Sequence, residues 1–384
     1  MTPQTFIRNR VSKKNTQTFD LFNGRISLAV NDEQIVALFV DVDKCVRAVD
    51  KRLEQQHLLE NIRTIGRLEP HSCLAHELAF VQGVERLLDM DIPPEVYVGR
   101  VILCEGERIM NHILTLGKVA SSVGIYPLHM QTQHIQRRYE ALCEKLWRRR
   151  IPVDLFIPGG TMVCMTRDAI EGVVQFFDEV ASIRKTINWA LLRSRLFKNR
   201  AMKVACLRAE TVSCFNLSGV TARASGVGYD VRCFGEAGGS GAEFSPILGE
   251  GGDVWARVNV RVEEIGQSLD IMHENLSRFT NTQDLHKPSC IDVRNQRIFF
   301  VADDLDETQI NEGTYPIKER YSAIESANGE FGVSLVGGGE SRLQRCKVNS
   351  PTFCALQALE SVAIGENIMD LDLIIASMGI STVF

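Results

Sequence analysis

No run of eighteen apolar residues occurs in the 384-residue chain, which excludes a membrane-spanning helix. The eleven cysteines include no CxxC pair, so the side-chain frameworks of an iron–sulfur cluster, a zinc ribbon or a thioredoxin-type motif are missing. Their odd number and irregular spacing do not make a disulfide framework, and they fit a reducing compartment. Neither GxxxxGK[ST] nor GxGxxG after a strand is present, so the glycine-rich stretch at residues 219–252 makes a weak nucleotide cradle. HExxH, a nucleophile elbow and a Ser/His/Asp order are absent as well. His57, His71, His76, His129 and His134 lack metal-ligand spacing and read as surface or core histidines. The net charge of -5 gives no polybasic surface for nucleic acid or anionic lipid. Any association with a membrane must therefore come through partners. Residues 1–19 hold Arg8, Arg10, Lys13 and Lys14 and no acidic residue, as a basic tail or an organelle-targeting segment would.

What the chain does have is the composition of a globular protein, 45% hydrophobic and 24% charged. Its central stretch is residues 93–117. Pro93 and Pro94 can open a helix, Val98, Val101, Ile102, Ile109, Ile113 and Leu116 make an apolar face, and Gly117 is a natural stop. Glu105, Arg108 and His112 share a second face, for which a solvated surface is the default reading.

On either side the same periodicity predicts helices over residues 43–65, 69–90, 131–150, 166–197 and 253–279. Turn-bounded apolar runs predict a β hairpin over 22–40 and strands at 322–325, 330–336 and 345–348, then a helix at 351–363 and a buried apolar stretch at 371–376. Arg148, Arg149 and Arg150 fit a helix C-terminus better than a phosphate site. The fold class expected is α+β: an antiparallel helical bundle flanked by small β elements from both ends of the chain. Its parts are a tail at 1–19, a hairpin at 20–42, the bundle with glycine-rich loops at 43–279, and a loop insertion followed by a β/α part at 280–384.

Several segments occur in a telling order. They are RLFKNR from Arg195, SGV from Ser218, ARASGVGYDVR from Ala222 and GEGGDV from Gly249, followed by AIES from Ala323, Gly329-Glu330, Ser341-Arg342, Pro351-Thr352-Phe353 and LQAL from Leu356. Together they resemble the NuoD-type, quinone-site core subunit of respiratory complex I, the NADH:quinone oxidoreductase. That family is related to the large subunit of nickel–iron hydrogenases, whose metal-holding CxxC pairs are absent here. The resemblance spans residues 24–384.

The resemblance implies a hydrogenase-large-subunit-like bundle in the peripheral arm, on the matrix side of the mitochondrial inner membrane or the cytoplasmic face of a bacterium. It implies packing against the iron–sulfur subunit that carries the terminal 4Fe–4S cluster, contacts with other peripheral-arm and membrane-arm subunits, and ubiquinone as substrate in the cleft between. NADH and flavin would bind elsewhere, and this chain alone would hold no cofactor. Arg47, Arg67 and His112 match family positions that face the cluster. A cation there raises the cluster's potential, and a histidine can couple electron arrival to proton uptake.

Three other positions depart from the family's pattern. Asn23 stands where the histidine of GPQHPSTHG would meet the quinone, Pro70 replaces the tyrosine of RLDY, and Ser122 replaces the aspartate that supports the histidine. None of the three titrates usefully near neutral pH. The expectation is therefore a complex I core subunit with an altered proton supply, or a structural one whose quinone-reducing site has degenerated.

Overall fold

The computed structural model describes residues 17–21, 26–41, 48–161, 167–234, 244–281, 315–339 and 341–380. Asn23 and Arg47, most of the basic tail, residues 282–314 of the loop insertion expected from 280, and Ser381 to Phe384 lie outside them. The class is α+β, as expected: helices dominate, and three small antiparallel sheets accompany them.

The first sheet joins β1 (Gln17–Leu21), β2 (Ile26–Asn31) and β3 (Gln34–Val40). The expected hairpin is β2–β3. Its turn puts Asp32 and Glu33 at φ 48° and 69°, the left-handed twist that two-residue hairpins require. The periodic segment at 43–65 is not one helix. It divides into α1 (Val49–Gln55) and α2 (Leu58–Gly66) at the extended Gln56 and His57.

Next come α3 (Cys73–Leu87) and α4 (Pro94–Ser122), which Pro93 opens as predicted. Gly117 does not stop α4. A Cβ at that position would overlap Thr132 Oγ1 on α5 (Tyr126–Trp147), so this glycine serves close helix–helix packing. Helix α5 begins earlier than its apolar anchors indicate, because Pro127 is accommodated in its first turn. A two-residue ladder follows, β4 (Phe156–Ile157) with β5 (Gly160–Thr161).

The expected 166–197 helix is broken. Helix α6 (Arg167–Ile187) runs into a π turn, Asn188–Leu192, and α7 (Arg195–Ala201) restarts with Ser194 Oγ accepting from the Phe197 N–H at 3.3 Å. Short helices α8 (Ala209–Cys214) and α9 (Gly219–Arg223) lead to α10 (Val254–Asn281). The C-terminal sheet, β6 (Glu319–Ser326), β7 (Gly329–Gly337) and β8 (Leu343–Asn349), precedes α11 (Pro351–Ala363) and α12 (Leu371–Ser377).

One large apolar core joins most of these elements, and Val220, Ala224, Ala256 and Val260 form a smaller separate cluster between α9 and α10. Helix α4 packs against α5, α10 and α12, while β6 and β7 lie on α3. No described helix is long and apolar enough to cross a membrane.

Candidate functional site: a buried charge relay and an adjoining cavity

The polar stripe of α4 faces inward. Glu105, Arg108 and His112 are all buried. What makes this tolerable is a set of opposite charges delivered by other elements. His112 Nε2 lies 2.9 Å from Glu264 Oε2 of α10, and Glu264 Oε1 accepts from Arg223 Nε of α9 at 2.7 Å. Arg223 Nη1 reaches Glu325 Oε1 of β6 at 2.7 Å and Asp230 Oδ2 at 2.9 Å. Asp230 in turn pairs with Arg232 at 2.8 Å, and Arg232 with Glu105 at 3.3 Å. Arg108 returns to Glu105 at 3.1 Å and donates to the Ser326 carbonyl at 3.0 Å. The charges thus form one relay linking α4, α9, α10 and β6.

The relay sets protonation states. Burial alone would raise Glu264, but Arg223 and His112 hold it well below the usual carboxylate range. His112 goes the other way: burial, only partly offset by Glu264, lowers it to about 4. At neutral pH the pair is therefore a carboxylate accepting from a neutral imidazole.

Beside this core lies an open cavity of about 840 Å³. Its wall includes Ala48, Leu68, Glu69, His76, Tyr229 and Glu330. Tyr229 donates to Glu330 Oε2 at 2.5 Å, and Tyr321 donates to Glu330 Oε1. Glu69 is buried; Asn328 Nδ2 donates to it at 3.1 Å and Thr352 Oγ1 at 3.4 Å. Burial pushes its carboxyl up to about 7, against the pull of those two donors and of the more distant Lys118.

The six positions singled out from the sequence do not form one described cluster. His112 has no exposed surface and belongs to the relay. Arg67 is 59% exposed at the end of α2 and reaches Asp154 at 3.4 Å, a carboxylate it shares with Arg63 and Arg149. Half-buried Pro70 follows the cavity-lining Leu68 and Glu69. Ser122 ends α4 and donates to the Val119 carbonyl at 2.8 Å. Asn23 and Arg47 lie outside the described residues.

Sequence reasoning missed the roles of Glu69, His76 and Glu264. Glu69 had a signal, since it stands in the RLEP segment next to the altered position. Glu264, one of two adjacent glutamates on an amphipathic helix, had none.

Ala48 takes φ 52° and ψ 34°. A non-glycine residue there costs roughly 1–2 kcal/mol. Ala48→Gly is expected to stabilise the fold by about 1 kcal/mol or slightly less, because glycine is also freer in the unfolded chain. A thermal unfolding midpoint that rises relative to the parent checks this.

Fold and relay together define a class: a helix-rich α+β scaffold knitted by buried arginine–carboxylate pairs, with a cavity between its N- and C-terminal parts. The family model of the respiratory-chain NADH dehydrogenase 49 kDa subunit matches residues 127–383. The chain belongs to that family, and is thus a subunit of an oxidoreductase complex of the NuoD type. The NADH-ubiquinone oxidoreductase 49 kDa subunit of Reclinomonas americana is 28% identical over 369 residues, with 93% of this chain and 91% of the relative covered. A NADH-quinone oxidoreductase subunit of Brucella melitensis is 27% identical over 375 residues, with 93% and 92% covered. The corresponding subunit of Ehrlichia canis is 27% identical over 369 residues at the same coverage.

Proposed function

We propose that this chain forms one wall of the quinone cleft of complex I, in the peripheral arm beside an iron–sulfur subunit whose terminal 4Fe–4S cluster supplies the electrons. The observation that carries this reading is the cavity: its wall holds Leu68 and Glu69, between Arg67 and Pro70, and Ala48, next to Arg47. Segments that the family places at cluster and quinone thus border one open space. In this reading the bundle is hydrogenase-large-subunit-like, the complex sits in the mitochondrial inner membrane with this chain on the matrix side, and the membrane is reached only through other subunits.

Exposed Arg67 can meet a partner surface. Fully buried His112 cannot touch one without rearranging, and its relay partners Glu264 and Arg223 are buried too, so its influence on a neighbouring cluster is exerted through space.

The test is turnover of the intact complex. Ordinary NADH:ubiquinone reduction, abolished by a quinone-site inhibitor, is the expected result. The losses at Asn23, Pro70 and Ser122 favour a second reading, a structural subunit with a degenerate site. NADH:ferricyanide activity without inhibitor-sensitive quinone reduction would establish that reading.

A further inference from the structure

We propose that Glu69 is the acid that protonates the quinone in this cavity, in place of the groups lost at Asn23, Pro70 and Ser122. The proposal rests on the quinone-cleft reading above and names the proton donor of that same site.

The geometry favours Glu69 over the two tyrosines and the histidine on the cavity wall. Tyr229 and Tyr321 both already donate their phenol protons to Glu330, and burial together with that carboxylate raises both phenols well above their ordinary values. Neither is a ready acid near neutral pH. His76 has no exposed surface to speak of, and burial keeps it neutral by lowering it to about 3. Glu69 differs. Its hydrogen bonds come from two neutral donors, Asn328 and Thr352, and no lysine or arginine pairs with it among the described residues. An uncompensated buried carboxyl holds a proton far more readily than an exposed one.

A second feature marks the spot as built to meet a ligand. His76 stacks on Phe331 with ring centroids 3.8 Å apart, and its Nε2 lies 3.8 Å from Glu69 Oε2. Both of its ring nitrogens are buried without a hydrogen-bond partner among the described residues, on a side chain that lines the cavity. A polar, apolar-stacked imidazole beside a protonated carboxyl suits the carbonyl oxygens and flat ring of a quinone.

Reduction of a quinone to a quinol takes two electrons and two protons. In the assembled complex the electrons would come from the neighbouring iron–sulfur subunit. Glu69 breaks its O–H bond and gives one proton to a carbonyl oxygen, becoming a carboxylate, and water admitted through the open side gives the other, its hydroxide returning to solvent. Glu69 reloads from solvent. The charged and titratable groups around it are Cys73 and His76 from α3 and Lys118 and Glu107 from α4, with Glu330 on the same cavity wall and Asn328 and Thr352 as its neutral donors. The donor form is lost as pH rises through about 7, so quinone turnover should decline on that side.

The experiment compares Glu69→Gln, Glu69→Asp and Thr352→Val in the intact complex, reading ubiquinone and ferricyanide reduction by NADH from about pH 5.5 to about 9, a span that brackets the raised carboxyl and lies above ordinary carboxyl titration. Glu69→Gln should lower quinone reduction on the order of 10²-fold, with the ferricyanide rate and amount of complex unchanged. Glu69→Asp should keep activity with a displaced alkaline limb. Thr352→Val removes a donor that favours the carboxylate, so its limb should move to higher pH. Parental quinone turnover and pH profile retained in Glu69→Gln would overturn the assignment, as would an unmoved limb in both other variants. A parent complex without inhibitor-sensitive quinone turnover would instead overturn the functional reading itself.

Discussion

Arg223→Ala is expected to cost about 3–5 kcal/mol, enough to remove most of a domain's stability. Arg223 is fully buried and pairs with three acidic side chains at once: Glu264 at 2.7 Å, Glu325 at 2.7 Å and Asp230 at 2.9 Å. Deleting it leaves like charges crowded in a low-dielectric interior, which is far worse than never having placed them there. Arg223→Lys keeps the charge but not the fork. Its single ammonium cannot serve both Glu264, reached from Nε, and Glu325, reached from Nη1, so an intermediate loss is expected.

The pH signature separates the two variants from the parent. In the parent, Glu264 and Glu105 titrate below their ordinary value, so they contribute stability that is full above the unfolded carboxyl range and lost only as pH falls through their lowered folded values. In Arg223→Ala, Glu264 loses the cation that held it down. Protonation then begins at higher pH, and the destabilisation should shrink as the medium is acidified. Unfolding midpoints measured from pH 4 to 8, the span over which unfolded carboxyls finish titrating, give the comparison. A parent-like midpoint throughout in Arg223→Ala would contradict the relay as a stabilising unit.

Gly219→Ala should be almost as damaging, for a steric reason. Gly219 opens α9 at φ +67°, where a side chain is already strained. A Cβ there would sit 2.5 Å from the Asn328 carbonyl oxygen and 2.5 Å from Gly329 Cα. Both are backbone atoms of the tight β6–β7 turn, so they cannot swing aside as a side-chain tip would. Strain and overlap together are expected to cost about 3 kcal/mol or more. Asn328 also donates to Glu69, so displacing the turn should disturb the cavity wall along with stability. Gly172→Ala on α6 is the control. Nothing lies within 4 Å of its added Cβ, and alanine in a helix should stabilise by up to about 1 kcal/mol. Thermal unfolding of the two variants side by side should move the midpoint in opposite directions.

Where structure is decided within a few residues, it was legible. Helix α11 runs from Pro351 to Ala363 as its proline start and apolar stripe indicate, and β6 and β7 form the expected hairpin, though its turn is Ala327 and Asn328, with Gly329 already paired to Ser326. The α4 start at the Pro93-Pro94 pair is equally local. The misreadings share another cause. Gly117 reads as a stop from its neighbours alone, yet its role depends on Thr132 of the next helix. The stripe of Glu105, Arg108 and His112 reads as solvated because its counter-charges stand far along the chain, Arg232 127 residues from Glu105 and Glu264 152 residues from His112.

From its residues alone the chain declared a helix-rich α+β class, the lack of a spanning helix and, through the ARASGVGYDVR and AIES segments, its family. Those properties depend on local periodicity, turn chemistry and short motifs, all of which are written contiguously. Packing alone decided which charges lie inside, which protonation states they hold and that Glu69 faces a cavity, because burial and pairing are properties of neighbours in space, and only the folded chain makes Glu69, Asn328 and Thr352 neighbours.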